Sequence, residues 1–99
     1  MRVRLLLVAE QELDEAVAWY NNQADQLGSV FAAEVFDGIA LMREYPNAWH
    51  RLGPRTRRFR LRRFPYGLVY AVLPDELVII AVMHLHRQPD YWRNRLPEL

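Results

Sequence analysis

The sequence predicts an α+β domain with the element order β-α-α-β-β-β, in which an N-terminal helical hairpin packs on one face of an antiparallel sheet. Three observations favour this fold class. Apolar residues recur at helical spacing between positions 10 and 45, polar and apolar residues alternate between positions 58 and 62, and two apolar runs follow on either side of a short Pro-Asp-Glu turn. The 99 residues, 52% of them hydrophobic, are enough for one domain with a buried core.

The N-terminal half is expected to form one strand and two helices. Val3, Leu5 and Leu7 alternate along a strand at positions 2–8. The first helix then carries apolar residues at helical spacing: Leu13, Ala16, Val17, Tyr20 and Ala24. After a break at positions 25–28, the second helix carries a similar stripe: Phe31, Val35, Ile39 and Met42. Tyr45-Pro46 ends it, and so short a link between two helices predicts an antiparallel hairpin.

The C-terminal half is expected to form a three-stranded antiparallel meander. The predicted strands occupy positions 57–64, 68–73 and 77–85, after a loop at 47–54. The first two strands are joined by a turn at 65–67, and the second and third by the turn at 74–76. The third strand is apolar on both faces, which is typical of a central strand. The tail that follows is polar and aromatic, with one or two helical turns expected at positions 90–96.

Charge is distributed unevenly along a chain whose net charge is only +1. Positions 51–63 contain seven Arg and no acid, whereas positions 1–48 contain eight acids and three Arg. Strand alternation places Phe59 and Leu61 towards a core, with Arg58, Arg60 and Arg62 in a row on the other face. Such a row suits a phosphate, a carboxylate or an acidic partner, because each guanidinium can hold two oxygens at once. The alternative is a solvated face paired with the acids of the first helix.

Several classes of function are disfavoured by composition. The chain has no Cys, which excludes disulfides and thiol chemistry and fits a reducing cytoplasm. No apolar run approaches the roughly 20 residues of a membrane span, and the first ten residues are expected to form a strand rather than a signal peptide. His84 and His86 share a strand face, but no neighbouring Cys or His offers a third metal ligand. Neither a metal nor a cofactor is therefore expected.

An ordered set of residues along most of the chain resembles the RelE/ParE superfamily of bacterial toxins, and more closely its ParE-like (plasmid-stabilisation) branch. The N-terminal half contributes Glu12-Leu13-Asp14-Glu15-Ala16, Trp19-Tyr20, Leu27-Gly28, Phe31 and Tyr45-Pro46. The C-terminal half contributes Arg62-Arg63-Phe64-Pro65-Tyr66, Leu68-Val69-Tyr70, Ala81-Val82-Met83-His84, Arg87, Pro89, Tyr91-Trp92 and Arg95. The strand that ends in His-x-x-Arg-x-Pro-x-x-Trp is the most diagnostic of these pieces.

The resemblance implies the toxin of a type II toxin–antitoxin system, neutralised by a cognate antitoxin in a hetero-oligomeric complex. ParE-like members are described as inhibitors of DNA gyrase that act by binding. RelE-like members are similar in fold and cut messenger RNA on the ribosome, so a ribosome-dependent endoribonuclease is the alternative. A third possibility is a non-toxic relative that still binds its antitoxin and causes no growth arrest.

The resemblance also suggests site residues. A ribonuclease would draw on His84 or His86 as general acid or base, with Arg87, Arg60 and Arg62. Several ribonuclease members place an Arg after the Pro-Tyr pair, where this chain has Gly67, and this departure favours the ParE-like activity. The predicted face for an anionic partner or target comprises Arg57, Arg58, Arg60, Arg62, Arg87, Tyr91 and Trp92. The predicted antitoxin groove comprises Leu13, Val17, Tyr20, Phe31 and Val35.

Two of these residues have simpler structural interpretations that stay open at this point. His84 can end its strand and hold the tail by a hydrogen bond, without taking part in proton transfer. Trp92 can pack the tail back on the edge of the sheet instead of stacking on a base.

Overall fold

The structure, a computed structural model, describes residues 1–99 and follows the predicted element order with one short strand added. Its elements are β1 (Arg2–Leu5), α1 (Leu7–Gln23), α2 (Leu27–Glu44), β2 (His50–Arg51), β3 (Thr56–Arg60), β4 (Tyr66–Val72), β5 (Glu76–His84) and the C-terminal 3₁₀-helix η1 (Arg93–Glu98). The α+β class and the N-terminal helical hairpin are thereby confirmed.

The hairpin brings its two helices together at Gly28. A Cβ at this position would lie 2.3 Å from the carbonyl oxygen of Val17, so only glycine allows so close an approach to the backbone of α1. The Gly28 N–H also donates to Asn21 Oδ1 at 2.8 Å. The apolar stripes of both helices face the interior, where these residues are buried: Leu13, Ala16, Tyr20, Phe31, Val35, Ile39 and Met42.

The five strands form one sheet in the order β1-β5-β4-β3-β2. The pairs β2–β3, β3–β4 and β4–β5 are antiparallel, as predicted for the meander. The sheet as a whole is mixed rather than antiparallel, because β1 pairs in parallel with β5 through the register Val3↔Leu77. β5 lies between β1 and β4, and its residues 77–83 are all buried, which confirms the prediction of an apolar strand inside the sheet.

Several boundaries differ from the prediction because local hydrogen bonds override the sequence pattern. Leu6 is the N-cap of α1, since its carbonyl accepts from the Glu10 N–H, and the first strand therefore ends at Leu5 instead of position 8. β3 ends at Arg60 and β4 starts at Tyr66, so the connecting turn occupies positions 61–65 rather than 65–67. The short β2 lies in the predicted loop. The C-terminal helical turns occupy positions 93–98.

Both faces of the sheet contain buried residues. On the helix side, Tyr66 packs against Tyr20 and Phe31 of the hairpin. Strand alternation turns Val69 away from the helices, yet it has no exposed surface. Trp92 of the C-terminal tail is also fully buried. The second face is thus buried around Val69 but exposed at Arg60.

Candidate functional site

The arginines of β3 divide between the two faces of the sheet. Arg57 pairs with Tyr70 and shares its face, and Arg57 Nη1 donates to the carbonyl oxygen of Trp49 at 2.9 Å. Arg58 pairs with Val69 and Arg60 pairs with Gly67, so both point away from the helices. Of the three arginines predicted to form a row, only Arg58 and Arg60 lie on the same face of β3.

The turn after β3 binds a carboxylate of α2. Glu34 Oε2 accepts the backbone N–H groups of Arg62 and Arg63, and its Oε1 accepts Arg63 Nε at 3.1 Å. Burial acts to raise the pKa of Glu34, but these hydrogen bonds from Arg63 and Arg62 outweigh it and leave the pKa below its ordinary value. The acid that neutralises the turn after β3 therefore comes from the second helix. The alternative of a solvated arginine face had expected acids of the first helix. The prediction that Arg62 continues the row of Arg58 and Arg60 is also wrong, because Arg62 lies in the turn after β3.

Gly67 lies within β4, not in the turn, and it provides room for the side chain of Arg58. A Cβ at position 67 would lie 3.1 Å from both Cγ and Cδ of Arg58 and 3.3 Å from Cδ2 of Leu85. The aliphatic part of Arg58 thus lies across the glycine, and its Nε is buried without a hydrogen-bond partner. The position where some relatives carry an Arg is here covered by an Arg from the neighbouring strand.

Positive charge on this side of the molecule is largely unneutralised. No Asp or Glu occurs between positions 45 and 74. No ion pair or hydrogen bond within the protein engages the side chains of Arg55, Arg58, Arg60 and Arg62. We call the surface formed by Arg58, Arg60 and Gly67 the Arg58–Arg60 face.

A cleft of about 520 Å³ lies between α1 and the end of β5, on the other side of the sheet from the Arg58–Arg60 face. Its walls combine aromatic, acidic and basic side chains: Glu12, Glu15, Ala16, Trp19, Tyr20, Pro65, Tyr66, Val82, His84 and Arg87. His84 and Arg87 therefore meet in this α1–β5 cleft. Arg60 and Arg62 instead line a separate depression with His86. No single cleft is lined by all the residues suggested for a ribonuclease: His84 lies with Arg87, and His86 lies with Arg60 and Arg62.

His84 ends β5 and holds the start of the tail. Its Nδ1 accepts the backbone N–H of His86 at 3.1 Å, and its carbonyl oxygen accepts the N–H of Arg87 at 3.0 Å. The rings of His84 and His86 lie 5.1 Å apart at an interplanar angle of 72°. The structural interpretation of His84 thus agrees with these contacts, and no group of three potential ligand side chains could hold a metal ion.

Glu12 lines the α1–β5 cleft and binds several side chains around it. Its carboxylate binds Arg95 through two hydrogen bonds of 2.9 Å, from Nη1 and Nη2, and accepts the Tyr91 hydroxyl at 2.7 Å. Arg87 Nη1 lies 3.7 Å from the same carboxylate. The side chains of Glu12 and Arg95 are only 12% and 11% exposed, so this is a nearly buried ion pair. We call Glu12, Arg87, Tyr91 and Arg95 the Glu12 cluster.

The Glu12 cluster also closes the open edge of β5. β1 pairs with β5 only as far as Ile79, and beyond it the outer edge of β5 has no neighbouring strand. There the Val82 N–H donates to Glu12 Oε1 at 3.0 Å, and the Ile80 carbonyl oxygen accepts Arg95 Nη1 at 3.0 Å. Side chains thus satisfy backbone groups that a further strand would otherwise pair.

The tight contacts of the Glu12 cluster shift two pKa values. Burial, reinforced by the hydrogen bond to Glu12, holds the pKa of the Tyr91 hydroxyl well above its usual value. The hydrogen bonds to Glu12 raise the pKa of Arg95. Both residues are therefore fixed in their ordinary protonation states. Sequence reasoning missed this cluster because Glu12 and Arg95 are 83 positions apart.

Two groups of predicted site residues need correction. Trp92 is fully buried and Tyr91 is bound to Glu12, so neither is free to stack on a nucleic-acid base at the predicted target face. Leu13, Phe31 and Val35 of the predicted antitoxin groove belong to the core, because the apolar stripes that suggested the groove hold the hairpin on the sheet. Of the other two groove residues, Val17 is partly buried, and Tyr20 is buried but contributes to the α1–β5 cleft.

The helical hairpin and the five-stranded mixed sheet together define the RelE/ParE-like fold. A chain from a solved structure described as a chromosomal ParDE TA system from P. aeruginosa superposes with a TM-score of 0.76. The match covers 87% of this chain and 97% of that one at 16% sequence identity, so the likeness is one of fold. A search of curated proteins found no match.

Sequence comparison defines the family within this fold. Residues 3–89 match the family described as the ParE toxin of the type II toxin–antitoxin system, parDE. The chain therefore belongs to the ParE toxin family, as its resemblance to the ParE-like branch had indicated. Neither α1 nor α2 combines the length and the apolar character that crossing a bilayer would require, and the same holds for η1.

Proposed function

We propose that this protein acts in the cytoplasm as a toxin that arrests growth by binding and inhibiting DNA gyrase, and that a cognate antitoxin neutralises it in a hetero-oligomeric complex. One observation carries the choice of binding over cleavage. His84 and Arg87 line the α1–β5 cleft, whereas Arg60 and Arg62 line a different depression. Cleavage through a 2′-hydroxyl needs a proton-transfer group and phosphate-holding cations around the same atoms.

The contacts of the two cleft residues support the same choice. Arg87 stacks 3.8 Å from the centre of the Tyr91 ring and lies near the Glu12 carboxylate, so its charge is already engaged. His84 uses one ring nitrogen to accept the His86 N–H. A ribonuclease at this position would have a single free imidazole nitrogen and a guanidinium that does not transfer protons.

The decisive experiment separates gyrase inhibition from messenger RNA cleavage. Purified protein is incubated with DNA gyrase and plasmid DNA, and trapped cleavage complexes and supercoiling are measured with and without the protein. We expect inhibition, and we expect His84→Ala to inhibit as wild type does, because that imidazole has no chemical step to perform. Unchanged supercoiling, together with cuts in ribosome-bound transcripts that are lost in His84→Ala, would replace this proposal by the ribonuclease alternative.

The antitoxin is proposed to approach from the side of the hairpin. The most exposed aromatic residues of the helices lie there, with Trp19 and Phe36 each 56% exposed, and Trp19 also borders the α1–β5 cleft. Expression of the toxin alone is expected to stop growth, and co-expression with the protein encoded next to it is expected to restore growth. Normal growth in the first case would instead indicate a non-toxic relative.

A further inference from the structure

We propose that Arg58 and Arg60 together bind an acidic, extended segment of a partner protein, with carboxylates two residues apart, and that Gly67 positions Arg58 for this contact. The inference rests on the proposed function in one respect, namely that the partner is a protein and not a transcript. It concerns the Arg58–Arg60 face and is independent of the α1–β5 cleft.

The spacing of the two arginines determines the spacing of the carboxylates that a partner must present. Side chains at positions i and i+2 of a strand lie on the same face, roughly 6.6–6.8 Å apart along its axis. Arg58 and Arg60 hold this relation within β3. An extended acidic segment repeats its side chains at the same interval, so that each carboxylate can meet one guanidinium through two parallel hydrogen bonds.

The charge of the face is available to a partner. All but one of the arginines outside positions 45–74 lie within 4 Å of a carboxylate, the exception being Arg43, which donates to the Met1 carbonyl oxygen. Arg58 and Arg60, by contrast, have no acid near them in sequence and no ion pair in the structure. Two like charges on adjacent positions of one strand face repel each other until an anion lies between them.

Chemistry near the face favours a peptide over a nucleic acid. Proteins that bind single strands combine cations with aromatic rings on which bases stack. The aromatic residues of β3 and β4 belong to the hairpin side, where Phe59 and Tyr70 are buried. On the tail, Trp92 is also buried. The one exposed ring beside the Arg58–Arg60 face is the His86 imidazole, so guanidinium groups dominate the face, which suits carboxylates.

Gly67 gives the face its geometry. Because it has no side chain, the aliphatic part of Arg58 can lie flat across β4, and Gly67→Ala would place a methyl group 3.1 Å from Cγ and Cδ of Arg58. The flexible Arg58 side chain can move aside, so this substitution changes the direction of the guanidinium without removing any charge. It therefore separates a positioned pair of arginines from a merely positive surface.

The binding test uses the full chain and fluorescence anisotropy with three labelled probes. The first is a 12-residue peptide with four Glu at alternate positions, the second has four Glu at every third position, and the third is a 12-nucleotide single-stranded RNA. We expect the alternating peptide to bind most tightly. We expect Arg58→Gln and Arg60→Gln each to weaken its binding about tenfold, as loss of a charged hydrogen bond does.

Two further variants sharpen the test. Arg2→Gln makes the same charge change at the opposite edge of the sheet and is expected to leave affinity within about twofold. Gly67→Ala is expected to weaken the alternating peptide more than the peptide with Glu at every third position. Equal affinity for the two peptides, tighter binding of the RNA, or equal effects of Arg60→Gln and Arg2→Gln would each overturn the inference.

The gyrase experiment distinguishes this inference from the proposed function. If wild-type protein traps gyrase but shows no preference for the alternating peptide, the acidic-segment inference fails and the proposed function stands. If the peptide preference is found but gyrase is unaffected, the proposed function fails and the acidic partner must be sought elsewhere.

Discussion

Charged side chains are paired at the outer edge of β5 and unpaired on β3. At the outer edge of β5, the Glu12 carboxylate accepts hydrogen bonds from Arg95, Tyr91 and a backbone N–H, and it also lies near Arg87. On β3, Arg58 and Arg60 have no partner at all within the protein. In the first region four hydrogen bonds fill the acceptor capacity of one carboxylate, and the second region has cations without an acceptor.

The difference separates a structural role from a binding role. A nearly buried ion pair such as Glu12–Arg95 is costly to break, because the remaining charge is left without water or a partner. An exposed cation without a partner, such as Arg60, contributes little to folding and remains available for another molecule. We therefore expect substitutions in the Glu12 cluster to change stability, and substitutions on the Arg58–Arg60 face to change binding.

The largest effect is expected for Glu12→Gln. This substitution leaves Arg95 nearly buried without a counter-ion, so the free energy of unfolding should fall by about 3 kcal/mol. Urea denaturation followed by circular dichroism measures the change. Glu15→Gln, an exposed carboxylate on the same helix, is the matched control and should stay within about 0.5 kcal/mol. A loss of less than about 1 kcal/mol for Glu12→Gln would show that the cluster does not support the fold.

An intermediate, pH-dependent effect is expected for Glu34→Gln. The folded pKa of Glu34 lies below its ordinary value of 4.5, so its contribution to stability is present above that value and is lost as pH falls through the folded pKa. At pH 7 the substitution should cost about 1–2 kcal/mol, the size of a charged hydrogen bond, and the cost should shrink in acid. Urea midpoints at pH 7 and pH 3 measure this trend.

A matched control for that experiment lies one turn along the same helix. Asp37 is exposed and makes no hydrogen bond, so Asp37→Asn should shift neither midpoint. A cost for Glu34→Gln that is the same at both pH values would mean that the ionised carboxylate is not what binds the turn.

The smallest effect on stability is expected for Arg60→Gln. An exposed guanidinium with no ion pair contributes little to folding, so the free energy of unfolding should change by no more than about 0.5 kcal/mol, even where binding of an acidic peptide falls tenfold. Urea denaturation again gives the measurement. A loss above about 1 kcal/mol would assign Arg60 to the structure, and the contrast between the two regions would disappear.

Much of the fold could be predicted because its signals are local. Alternation at positions 58–62, helical spacing in α1 and α2, and the turn before β5 each depend on residues that are near one another in sequence. The exceptions have physical reasons. His50 and Arg51 form a strand too short to show a period, and Leu6 precedes α1 without a side-chain cap that sequence could reveal. The parallel pairing of β1 depends on the path of the whole chain.

The candidate site was less predictable because its contacts join distant residues. Composition showed that positions 51–63 are basic, and alternation correctly placed Arg58 and Arg60 on one face. Sequence alone could not show that Arg58 extends over Gly67, or that Glu34 rather than an acid of α1 binds the turn. The residues proposed as an antitoxin groove are apolar at helical spacing, a pattern that serves a core and a groove equally well.

The parallel pairing of β1 with β5 has a consequence for folding during translation. β1 emerges from the ribosome first, but its partner residues 76–79 are added only after both helices and three further strands. The ion pair of Glu12 also cannot form until Arg95 has been added. Because contacts so distant in sequence form late, the domain cannot close until translation has passed position 95. Until then, the chain lacks the ion pair that closes the free edge of β5.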